Sequence, residues 1–150
     1  MNVITKLGAV VLLATVAAAC GGSEPESSST SAPTGKPRVF FIEPKDGQTV
    51  KPLVRLRFGL ENFELAAVPQ GTVETSRPNL GHHHVGVDID CLPPGTEIPK
   101  ANPWVHHGGA QTEMDMQLTP GSHKLTLQLG DDMHRTMAGL CQTITVNVVE

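Results

Sequence analysis

The stretch GHHHVGVD, residues 81–88, sets three consecutive histidines into an alternating, strand-like pattern. Successive side chains of a strand point to opposite faces. His82 and His84 therefore share one face with Asp88, while His83 shares the other with Val85, Val87 and Ile89, the side that reads as core. Two imidazoles at i and i+2 lie about 6 to 7 Å apart at the backbone. At that spacing they can converge on one ion, with metal–nitrogen distances of about 2.0–2.1 Å. The chain has 7 histidines and none precedes residue 82. His106 and His107 lie in WVHHGGAQTE, His123 starts a strand after a Pro-Gly turn, and His134 follows GDD in the last loop. This clustering at a few loop-and-strand junctions is the strongest functional signal in the sequence. Imidazole suits copper, zinc, iron and nickel. The competing reading is a polar edge whose histidines satisfy loop carbonyls and carboxylates.

Other residue types narrow the chemistry. Met133 and Met137 flank His134 in a polar loop, and thioethers there would favour monovalent copper. Met114 and Met116 alternate in phase with Leu118 and read as core. A blue-copper centre is excluded because it requires a cysteine thiolate, and the cysteines are otherwise committed. Cys20 follows an apolar run, LGAVVLLATVAAA, too short to span a bilayer. With Lys6 before it and small residues at its end, residues 1–19 have the layout of a secretory signal peptide. The tail TVAAACGG resembles a bacterial lipobox, which makes Cys20 the expected lipidation site, although Ala17 stands where leucine is usual. Plain signal cleavage is the alternative. Gly21 in place of aspartate favours the outer membrane. The remaining pair, Cys91 and Cys141, is expected to be bridged in an oxidising compartment.

These residues must be positioned by a scaffold, and the pattern around them is all β. Residues 20–37 hold no bulky apolar side chain and read as a tether, leaving 38–150 as one domain. PRVFFIEP, LVRLRFGLEN, FELAAV, HHHVGVDID, TEMDMQL, HKLTLQLG and QTITVNVVE read as strands between Gly/Pro turns. No window has an apolar stripe at helical spacing. An immunoglobulin-like antiparallel β-sandwich of about seven strands is the expected fold. The stretch from Cys91 to Ala110 reads as a long loop, a kind that is usually functional. The net charge of −4, carried by scattered residues, argues against nucleic acid as a partner.

PRVFFIEPKDGQTVKPLVRLRFGLE, GHHHVGVD, GGAQTE and PGSHKLTLQLGD occur in that order. Together they resemble a bacterial family catalogued as domain of unknown function 4399, from about Arg38 to the C-terminus. The resemblance implies export and a β-sandwich, and it implies no activity. A looser group of small exported domains has the series G-H-x-H, W-x-H, P-G-x-H and D-x-x-H. Here that series falls on His82, His84, His106, His123 and His134. The chain departs from the family pattern in HHGGAQTE, where a Phe-Gly pair is common, and in Asp132 and Met137, where further histidines are common. Copper-zinc superoxide dismutases offer an architectural analogy only.

The function these residues suggest is that of a lipid-anchored envelope protein binding a copper or zinc ion. His82, His84, His106 and His134 are its ligands, His123 is a further ligand or a hydrogen-bonding support, and Asp88 orients an imidazole. Protonation should weaken such a site below about pH 6. The alternative is a non-enzymatic immunoglobulin-like interaction module with an envelope partner. Trp104 would be its anchor, unless that ring plugs the core. An enzyme is the least supported reading, since GxSxG, HExxH and a free nucleophilic cysteine are all missing from the sequence.

Overall fold

The computed structural model describes residues 35–150. The expected signal segment, Cys20 and all but the last residues of the tether lie outside the described residues. Nine strands follow in order: β1 (Arg38–Glu43), β2 (Thr49–Val50), β3 (Leu53–Glu61), β4 (Glu64–Leu65), β5 (Leu80–Val87), β6 (Trp104–His107), β7 (Glu113–Gln117), β8 (Gly121–Gly130) and β9 (Thr136–Val148). They form a three-stranded sheet, β1-β3-β7, and a six-stranded sheet ordered β2-β9-β8-β5-β4, with β6 also paired to β5.

The all-β sandwich expected from the pattern is present, with two differences. All seven expected strands form, and β2 and β6 are added to them. The sheets are also not wholly antiparallel, because β2 runs parallel to β9 and β4 parallel to β5. Both parallel pairings involve two-residue strands, which are too short to carry a period that sequence alone would reveal.

Alternation packs the two sheets together. Val39 and Phe41 of β1, Val54, Leu56 and Phe58 of β3, and Met116 of β7 face Val85, Leu125, Leu127, Leu129, Ile144 and Val146 across the sandwich. The outer face of the smaller sheet is solvated, and Arg55 there pairs with Asp115 at 3.1 Å. The outer face of the larger sheet is covered instead. Every residue from Gly81 to Gly86 is buried, so β5 has no solvent side at all.

The cover is the segment between β5 and β6. The Gln128 amide exchanges two hydrogen bonds of 2.9 Å with the backbone of Leu92. The Thr126 hydroxyl donates to the Ile89 carbonyl. Cys91 and Cys141 form the expected disulfide, which ties the cover to β9. Ile98 of the cover is fully buried, and Trp104 is 3% exposed. The segment therefore acts as a roof, and its last part is strand β6 rather than loop.

Candidate metal centre

Strand register assembles the site. His84 of β5 lies opposite His106 of β6 on one side and Gln128 of β8 on the other, and His82 lies opposite Gly130. The outer-face phase of β5 and β6 thus brings His82, His84 and His106 together beneath the roof. His134 arrives from the turn between β8 and β9. Its φ of 62° is in the left-handed region, which a bulky side chain adopts only when its surroundings demand it. The Asp131 carboxylate accepts hydrogen bonds from the amides of Met133 and Arg135, both at 2.8 Å. The His134 amide donates to the Asp131 carbonyl at 2.8 Å, and the Ile98 amide of the roof donates to the His134 carbonyl at 2.8 Å. The turn that presents His134 is locked on both sides.

The result is one cluster. Each of His82, His84, His106 and His134 offers a nitrogen, and these four atoms lie within 4.8 Å of one another. Ring centroids are 4.6 Å apart for His82–His84, 4.7 Å for His106–His134 and 5.5 Å for His84–His134. The Nε2 atoms of His106 and His134 stand 2.9 Å apart, one donating its N–H to the other. Both nitrogens of His82 and both of His84 are buried without a hydrogen-bond partner among the described residues. A tetrahedral set at about 2.0–2.1 Å from one ion has nitrogens roughly 3.3 Å apart. The wider separations close to that value and the 2.9 Å pair opens to it with small ring movements, once the N–H shared by His106 and His134 moves to Nδ1, so four imidazoles here fit a transition metal.

Two glycines give the rings their room. A Cβ built on Gly130 would stand 2.8 Å from Cε1 of His84, and one on Gly108 would stand 2.5 Å from Cε1 of His106. Electrostatics keeps the rings neutral. Burial, then the neighbouring imidazoles, pushes His82 down to about 3 and His84 down to about 2. His106 and His134 are lowered as well, by burial first and the Lys100 ammonium second. Neutral imidazole has the lone pair a metal requires. Beside the cluster, the Asp132 carboxylate is almost completely buried and takes three hydrogen bonds from Arg77, at 3.0, 2.8 and 2.7 Å. These hold its carboxyl below the usual carboxylate range.

The other sequence-predicted residues go elsewhere. His123 is not in the cluster. It sits seven residues from Gly130, at the opposite end of β8, because the strand runs away from the site. Its Nδ1 contacts Asp88 at 2.9 Å and its Nε2 contacts the Thr119 carbonyl at 2.9 Å. Asp88 does orient an imidazole, but that of His123. Asp88 also leaves the strand phase of His82 and His84, since β5 ends at Val87 and Asp88 has a φ of 56°. Met137 packs against the core, and Met133 lines a cavity of about 250 Å³ beside His134. Trp104 lies over Gly86 and is buried, as a core plug would be, so its ring is not presented to a partner. His83, as its phase predicted, points into the sandwich, where Nδ1 donates to the Gln111 carbonyl at 2.9 Å.

Sequence reasoning missed the roles of Gly108, Gly130, Arg77 and Asp132. The spacing of G-D-D-x-H after a strand was the available signal for two of them. It also missed the contact between Nε2 of His107 and Sδ of Met114, at 2.8 Å.

No curated protein matches the chain. Among solved structures, the chain is similar to an endo-beta-1,4-mannanase from Thermotoga petrophila at 18% identity and a TM-score of 0.45. The match covers 81% of this chain and 21% of the mannanase, so the chain spans about a fifth of that protein's length. The likeness is too distant to bear on function. A family model matches residues 56–149, a span that includes all four clustered histidines, and on that match the chain belongs to the family described as a domain of unknown function, DUF4399.

Proposed function

We propose that the protein is an exported, lipid-anchored protein of the cell envelope that binds a copper or zinc ion through His82, His84, His106 and His134. One observation carries this assignment. Four buried ring nitrogens on His82 and His84 have no hydrogen-bond partner, and two further imidazoles stand against them. Roughly nine-tenths or more of buried polar groups in folded proteins are hydrogen-bonded. One unpaired nitrogen from each of the His82 and His84 rings joins one from His106 and one from His134 within 4.8 Å, and such convergence is the pattern of a cation site. The ion would supply positive charge and Lewis acidity. The chain's own part is to hold four neutral donors in a dry recess and to keep the buried Asp132 close by.

The role is storage or delivery of the ion, since four imidazole donors would complete a tetrahedral shell and leave no open position for a substrate. The signal segment, the cysteine at position 20 and the Cys91–Cys141 disulfide support an oxidising envelope compartment. The lipid on Cys20 is then the membrane contact, the tether gives reach, and the domain faces the periplasm or the cell surface.

Titration calorimetry with Cu(II) and with Zn(II), on protein free of any purification tag, tests the site. One ion should bind per chain, and a His82→Ala/His84→Ala variant should lose that binding. Equal binding by the double variant would refute the assignment. A Cys20→Ala variant should fail to incorporate labelled palmitate and should leave the membrane fraction. Retention on the membrane would refute the anchor while leaving the metal site untouched.

A further inference from the structure

Two of the three histidines left outside the cluster are themselves paired. His83 of β5 lies directly opposite His107 of β6, as His84 lies opposite His106. Because faces alternate, the two strands present one cross-strand pair to the roof and the next to the inside of the sandwich. The Phe58 ring packs against both inner rings, with centroids 5.1 Å from His83 and 6.0 Å from His107. Met114 of β7 brings its sulfur to 2.8 Å from Nε2 of His107.

His83 supplies a second observation. Its Nδ1 donates to the Gln111 carbonyl, which fixes the ring, while Nε2 is buried with no partner. The ring as a whole has 0% exposure. Gln111 and Met114 lie on the same short run of chain that leads into β7, so the element that orients His83 also brings the thioether to His107. A ring held through one nitrogen by a carbonyl, with the other left unpaired, is the usual arrangement of a metal-ligating histidine.

We propose that His83, His107 and Met114 form a second, softer metal site on the inner face of β5 and β6, selective for a monovalent d10 ion such as Cu(I). Two imidazoles and a thioether are the donors that such an ion prefers, whereas the four-imidazole site opposite suits a divalent ion. This assignment does not rest on the outer cluster being occupied. Binding requires the N–H of His107 that now donates to sulfur to move to Nδ1, freeing Nε2. Donors at about 2.0 and 2.3 Å from one ion in a trigonal arrangement lie roughly 3.7 Å apart. The present 2.8 Å gap must therefore widen by about 1 Å, which the flexible methionine side chain permits. Entry is from the side of His107 and Met114, which are half-buried, whereas His83 is innermost.

Two measurements test it. In the first, wild-type protein labelled at its methionine methyls and saturated with Zn(II) is titrated with Ag(I), a redox-inert probe. The Met114 methyl and the ring protons of His83 and His107 should shift together during the first equivalent. In the second, the His82→Ala/His84→Ala variant should hold one Cu(I) against a chromophoric Cu(I) chelator without oxygen. Adding Met114→Leu, which keeps the side-chain volume, should weaken that retention by more than roughly 10-fold, the least that even an outer partner of a metal site contributes. Shifts confined to Met133 or Met137, or no shift, would overturn the site. So would Cu(I) retention indifferent to Met114→Leu. The first measurement uses the unaltered chain, so it decides for or against the site even where a variant fails to fold.

Discussion

Acid should destabilise the metal-free protein well above the range in which its carboxylates titrate. The perturbation is a drop from pH 7 to pH 5. In the folded chain His82 is held at about 3 and His84 at about 2, while in the unfolded chain each returns to about 6.5. Between pH 6.5 and 5 the unfolded state therefore takes up protons that the folded state refuses. A folded-state value below the unfolded one means full stability above pH 6.5 and a growing loss below it, down to about pH 3 for His82. At 1.36 kcal/mol per unit, each ring contributes about 2 kcal/mol at pH 5, so the pair contributes about 4 kcal/mol. That is much of the roughly 5–15 kcal/mol available to a typical domain. His83, His106, His107 and His134 are all shifted downward and add to the loss.

Urea unfolding of chelator-treated protein at pH 7, 6 and 5 measures the effect as a falling midpoint at constant slope. A His82→Gln/His84→Gln variant should flatten the profile. Saturation with the bound ion should flatten it too, since a coordinated ring cannot take a proton. Metal-free stability that stays level from pH 7 to 5 would refute the reasoning, because it would mean the rings are solvated. The same shifts revise the pH dependence expected of binding. Rings already neutral in the fold have no proton to surrender at pH 6, so affinity for the folded site should persist further into acid than the fall below about pH 6 that free imidazole would show.

Gly130→Ala would place a methyl 2.8 Å from the His84 ring; metal affinity should drop at least roughly tenfold, as for loss of an outer support, while circular dichroism stays that of the sandwich. Arg77→Met should remove two of the three hydrogen bonds to the Asp132 carboxylate, whose side chain is 2% exposed, and lower the urea midpoint; a further Asp132→Asn change should restore part of it, and a fully additive pair would contradict the coupling. Reducing the Cys91–Cys141 bond opens a loop with a sequence separation of 50, worth about 4 kcal/mol on the chain-entropy model. Because that bond also fastens the roof, metal release by chelator should speed up on reduction; unchanged release would detach the roof from the site.

Period was the legible part of this fold. The strands that alternate over five residues or more, such as β3 with Val54, Leu56 and Phe58 inside, were readable because one face is core and the other is wet. β2, β4 and β6 are too short for a period, and β6 lies in a Pro- and Gly-containing stretch that reads as loop. The site was legible to the extent that it rests on residue type. His82, His84, His106 and His134 could be named, but only register places His106 opposite His84. His123 misled because the motif series includes it, whereas it lies at the end of β8 far from Gly130 and the cluster. Trp104, Arg77 and the glycines draw their roles from what crosses over them, and nothing local records that.

The covering of β5 links these features. An antiparallel sandwich ordinarily leaves its outer faces to water, and histidines on such a face would be solvated and satisfied. Here the roof, fastened by the disulfide and by the Gln128 amide, removes water from the outer face and leaves the His82 and His84 nitrogens unpaired. His134 adds a left-handed backbone, and Asp132 a buried charge. The unpaired nitrogens and the left-handed backbone lower the stability of the metal-free fold, while Arg77 compensates the Asp132 charge. Sequences that agree with their fold at every level break local rules where function requires it. A cation among neutral imidazoles relieves one unpaired nitrogen on each of His82 and His84, gives His134 a reason to sit where it does, and places a positive charge near the Asp132 carboxylate. The roof that makes the metal-free site costly is thus the same element that would make the filled one tight.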